Sequence, residues 1–172
     1  MARLDRGVFQ GFAKNPTLSM PRSSFMRSPT WLGTGNAGDI IPVYCDMVYP
    51  GDTVRMEASA LTRMSTPIHP VMDSAFQDTH FFFVPMRLVW EHWKEFNGEN
   101  NESYWIPQTD YAMPVQASPE GGYNFGTVAD FMGVPPGVEF DKDHPINAWR
   151  FRAYAKIYND WWRNQNTDHH PL

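Results

Sequence analysis

The sharpest pattern along the chain is an alternation of period two. Val54, Met56, Ala58 and Ala60 alternate with Arg55, Glu57, Ser59 and Leu61, which predicts a strand with one polar face. Ahead of it, residues 39–45 form a short β-rich run, and the internal Pro42 confines that run to an edge or a strand end. Tyr49-Pro50-Gly51-Asp52 predicts a turn, because Pro presets one φ and Gly supplies a positive one. A loop over 65–78 carries Pro67 and Pro70. It leads into Thr79-His80-Phe81-Phe82-Phe83-Val84, an apolar run of strand length expected to be buried on both faces.

Beyond Val84 the period lengthens. Pro85 stands where a helix can begin, Met86, Val89, Trp90, Trp93 and Phe96 recur at helical spacing, and Gly98 is a C-terminal stop, so a helix is expected near 86–97. Residues 99–146 form a long loop rich in Pro and Gly, with at most a short helix near 127–132. The strongest helical pattern runs over 147–163: Phe151, Tyr154, Tyr158 and Trp161 fall at i, i+3, i+7 and i+10. Residues 1–38 show no period and read as an extended arm. No internal repeat is present. Together these elements predict a mainly β fold with inserted helices, a barrel or sandwich decorated by insertions.

Charge sharpens the division. The chain of 172 residues carries 14 Lys+Arg and 19 Asp+Glu, a net of -5. Arg3, Arg6, Lys14, Arg22 and Arg27 face only Asp5 within residues 1–30, a net of +4 that leaves -9 for the remainder. Nine acids and one base, Lys142, lie between residues 95 and 146. Spaced cations with Phe9 and Phe12 between them suit an arm lying on a nucleic-acid backbone, and the competing reading is an arm wrapped on a neighbouring subunit. Aromatic residues make up 15% and charged residues 19% of the chain, a balance opposite to that of a disordered chain. No apolar run approaches the ~20 residues of a spanning helix, and the first residues lack the apolar core of a signal peptide. A soluble chain of a reducing compartment is therefore expected, with more aromatic surface than one small domain needs.

Chemical motifs are weak. Gly33-Thr34-Gly35-Asn36-Ala37-Gly38 matches G-x-G-x-x-G, but a phosphate cradle needs a strand before it and a helix after it, and here a strand follows. The six histidines, His69, His80, His92, His144, His169 and His170, show no metal spacing, and no metal or cofactor is expected. His80 is expected in the core or an interface. Cys45 is the single cysteine, which excludes an intrachain disulfide; inside an apolar run it is expected to be a buried, inert thiol. No G-x-S-x-G occurs, Asp141 and Asp143 read as solvated, and Asn101-Glu102-Ser103 is a sequon without a secretory context. No catalytic residue is assigned, and the chain is not expected to be an enzyme.

Several separate strings resemble one family in order: Asn36-Ala37-Gly38-Asp39-Ile40-Ile41-Pro42-Val43-Tyr44; Pro50-Gly51-Asp52-Thr53; Ser65-Thr66-Pro67; and Pro70-Val71-Met72-Asp73. They continue with Asp78 to Pro85, Arg87-Leu88-Val89-Trp90, His92-Trp93, Asn147-Ala148, Phe151-Arg152-Ala153-Tyr154, Ile157-Tyr158-Asn159-Asp160-Trp161 and Arg163-Asn164-Gln165-Asn166. The chain resembles the major capsid proteins of the gokushovirus branch of the Microviridae, small icosahedral single-stranded DNA phages, with 99–146 as the variable part. The resemblance implies an eight-stranded viral jelly-roll, of which residues 39–172 would be the N-terminal part. It also implies self-assembly into a T=1 shell around circular single-stranded DNA, in a virion built in the host cytoplasm, with a small basic DNA-packaging protein as a further partner and no membrane. Arg3, Arg6, Lys14, Arg22 and Arg27 are the expected DNA contacts. Trp90, Trp93, Tyr154, Tyr158, Trp161 and Trp162 are the expected core or subunit-interface anchors. Family members are longer, so the chain is expected to be a fragment, a split gene product or a truncation. The alternatives are a lectin-like or cupin-like jelly-roll binding module and a truncated capsid remnant that does not assemble.

Overall fold

The computed structural model describes residues 19–99, 109–141 and 143–167. The chain divides into two compact units, Met1–Thr30 and Trp31–Leu172. In the first, residues 19–30 form neither helix nor strand and their side chains are exposed. Arg3, Arg6 and Lys14 of the expected arm, the sequon at 101–103 and His169 and His170 lie outside the described residues.

The second unit is organised by three helices and a short ribbon. A single 3-10 turn at Met86–Leu88 is followed by α1, Trp93–Phe96. Gly98 stops α1 with a φ of 92°, its N–H bonding Glu95 O at 2.9 Å while Glu99 N bonds Lys94 O at 3.0 Å. That pair of bonds is the Schellman closure, which needs a left-handed residue in that place. The span expected as one helix near 86–97 is thus two short turns with a break between them.

Strands β1, Val115–Gln116, and β2, Ile146–Asn147, pair antiparallel with Val115 opposite Asn147 and Gln116 opposite Ile146. The pinch continues inward, where Ser118 N donates to Phe140 O at 3.0 Å, Phe140 N to Ser118 Oγ at 2.7 Å and Gly137 N to Tyr123 O at 2.9 Å. At its tip sits α2, Val128–Phe131. Thr127 caps it by accepting from Asp130 N, Asp130 Oδ2 reaches back to Gly126 N at 2.9 Å, and Gly133 closes the far end with a φ of 85°. The short helix expected near 127–132 is thus present as α2, and the described part of the loop expected over 99–146 has further order in the paired segments around it.

Helix α3, Trp149–Trp161, is the longest element. It is gripped on two opposite sides. One side carries Ala148 and Trp149, 3% and 4% exposed, with Arg152 and Asn159; Arg152 Nη1 donates to Val89 O at 3.1 Å. The other carries Phe151, stacked on Tyr123 at 6.2 Å, and Tyr154, whose hydroxyl donates to Ile40 O at 2.9 Å. With Ala129 of α2 and Met132 just after it, Ala148 and Trp149 form the apolar core, and Asn159 is buried too.

The expected strands at 54–61 and 79–84 form neither helix nor strand and join no ladder among the described residues, which do not form an eight-stranded barrel. A strand exists through the hydrogen bonds of a neighbour, and neither segment has one here. Phe81, Phe82 and Phe83, expected to be buried on both faces, are exposed, and Val84 is half-buried. The turn at 49–52 does form, with Asp52 N on Tyr49 O at 3.1 Å and a φ of 88° at Gly51.

Candidate assembly interface

Among the described residues, two aromatic clusters of different character stand out beside isolated ring pairs such as Trp31 with Phe131. The inner one is built on Trp149, which the helical spacing did not single out. Trp90 and Trp93 meet it edge-to-face with ring centroids 5.5 and 5.4 Å away, and Phe96 lies 5.5 Å from Trp90. Such pairs contribute roughly 0.5–1.5 kcal/mol each beyond area burial. Beside them His92 stacks on Tyr111 at 4.1 Å.

The outer cluster lies at the C-terminal end of α3. Phe82 packs 5.8 Å from Trp161 and 5.7 Å from Trp162, and His80 meets Trp162 at 5.6 Å. These rings touch one another yet stay open to solvent: Trp161 is 70% exposed. One turn back, Asn159 is buried with both amide atoms unpartnered. His80 is thus an exposed ring in an aromatic cleft and not a core residue.

The six expected anchors therefore separate. Trp90 and Trp93 join the inner cluster, Trp161 and Trp162 the outer one, and Tyr154 and Tyr158 lie half-buried along the helix between them. Burial raises the Tyr154 phenol above its ordinary value, with the nearby Tyr158 and Asp39 adding to the rise. Of the expected DNA contacts, Arg22 and Arg27 lie in the first unit with exposed side chains.

Cys45 is exposed, not buried. It lines a shallow groove with Trp31, Pro42, Phe131 and Arg150, and this partial cover pushes its thiol above 9.0 despite the opposing charge of Arg150. A raised thiol pKa suits an unreactive cysteine. The glycine motif at 33–38 is a loop with a turn, Asp39 N on Asn36 O, and no helix follows it. Asp141 accepts backbone N–H bonds from His144 and Asp143 at 2.8 and 3.0 Å, which hold its carboxyl below 3.8. Among the described residues no group of three or more His, Cys, Asp and Glu could hold a metal ion. No helix there is long and apolar enough to cross a membrane.

Exposed apolar side chains continue far beyond the outer cluster. Leu61, Ile68, Met72 and Phe76 are 86%, 96%, 94% and 92% exposed, and Val54 and Met56 stand half in solvent. So many large apolar side chains left in solvent suit a chain that meets other polypeptide.

The chain belongs to the family described as capsid protein (F protein), which matches residues 13–171. Among individual proteins it is 42% identical over 156 residues to capsid protein VP1 of Bdellovibrio phage phiMH2K, covering 90% of this chain and 28% of that protein. It is 42% identical over 147 residues to capsid protein VP1 of Spiroplasma virus 4, covering 86% and 26%. It is 35% identical over 159 residues to capsid protein VP1 of Chlamydia phage 1, covering 90% and 26%. The chain thus spans between 26% and 28% of the length of these curated relatives.

Proposed function

We propose that the chain is the N-terminal portion of a major capsid protein that self-assembles into a T=1 icosahedral shell around circular single-stranded DNA, and that it has no catalytic role. The observation that carries this reading is the row of apolar side chains left in solvent between Leu61 and Phe83 in a chain of the capsid family. In the complete protein, 54–61 and 79–84 take their places in an eight-stranded jelly-roll, where ladder partners satisfy their backbones and cover these side chains. The outer aromatic cluster then anchors a contact in the shell, since Trp dominates the energetics of such contacts.

The arm, residues 1–38, lines the interior. There Arg3, Arg6, Lys14, Arg22 and Arg27 offset phosphate charge, and the acidic 95–146 region lies away from the DNA, because carboxylates beside phosphates repel. A small basic packaging protein shares the interior, and the virion is the protein's final location after assembly in the host cytoplasm.

Electron microscopy of the product of the whole reading frame that holds these residues tests the proposal. Uniform small icosahedral particles are expected; a small soluble species with no particles would overturn it. The arm is tested by binding of that product to single-stranded DNA at several salt concentrations. Five cations, at ~0.7 counterions released per phosphate contact on single strands, give a slope of about -3.5 in log K against log salt. A slope near zero refutes the assignment.

A further inference from the structure

We draw no further inference here: the strongest candidate, the exposed aromatic cleft that His80, Phe81 and Phe82 form with Trp161 and Trp162 at the C-terminal end of α3, one turn from the buried and unpartnered Asn159 amide, is an apolar face for which nothing in the structure shows what covers it.

Discussion

Replacing Trp149 and Trp161 by alanine, one at a time, separates the two aromatic clusters. Trp149 is 4% exposed and touches Trp90 and Trp93. Removing about 200 Å² of buried ring at ~25 cal/mol per Å², less what alanine still buries, gives a loss of about 4 kcal/mol. That agrees with the ~3–5 kcal/mol range for deleting a core tryptophan. It is roughly a thousandfold in the folding constant and a large share of the ~5–15 kcal/mol that stabilises a typical domain. Trp161 is 70% exposed, so the same arithmetic on its covered part yields about 1.5 kcal/mol at most. Urea denaturation of the 172-residue chain, followed by near-UV circular dichroism, reads both changes. Trp149→Ala should abolish or nearly abolish the transition, and Trp161→Ala should shift it slightly. In the whole reading frame, Trp161→Ala should still fold but give fewer particles. Equal losses of stability for the two variants would refute the division into inner and outer clusters. Unchanged particle yield for Trp161→Ala would remove the outer cluster from the assembly contact.

Three further outcomes follow from local geometry. Gly122 has a φ of 82°, and a Cβ there would stand 2.6 Å from Val138 N, whereas Gly121, at 81°, has open space around it. Gly121→Ala should therefore cost about 1–2 kcal/mol of left-handed strain, and Gly122→Ala clearly more; equal midpoints in urea would contradict this. Thr127→Ala removes the α2 cap and should cost about 1 kcal/mol in the same assay. The Asp141 carboxyl is held below 3.8 by its turn N–H groups, so its contribution is complete above 3.8 and is lost as pH falls through the lower folded value. Asp141→Asn should flatten that acid limb; an unchanged stability profile below pH 4 would show that the turn does not depend on the charge.

What the sequence revealed was what local rules decide. Thr127 and Asp130 mark the start of α2, Gly98 marks the end of α1, and Tyr49-Pro50-Gly51-Asp52 forms its turn from its own residues. The position of α3 was legible, but its most buried side was not. Phe151, Tyr154 and Tyr158 mark one side of the helix, yet Trp149 and Asn159 lie on the opposite one. A helix gripped from both sides has no single apolar stripe to read. Arg152 stands half-buried on that opposite side, where a main-chain oxygen receives its guanidinium. The strands failed for the converse reason. Alternation at 54–61 declares which side chains want cover, but a ladder needs partners far along the chain, which local pattern does not supply. For the interface, composition announced the surplus of rings and helical spacing found Trp161. The meeting of Phe82 with Trp161 and Trp162, residues about eighty positions apart, has no signature in either local window.

The bonds that fasten α3 to its surroundings share one trait. Arg150, Arg152 and Tyr154 donate to Met132 O, Val89 O and Ile40 O, each a carbonyl of the main chain. A carbonyl oxygen is present whatever side chain its residue carries. Evolutionary constraint is therefore lopsided: three neighbouring helix positions must keep their donors, while the segments they hold can change residue type without losing the tether. A lineage can rewrite its loops, altering what the outside world meets, and leave the scaffold's fastening in place.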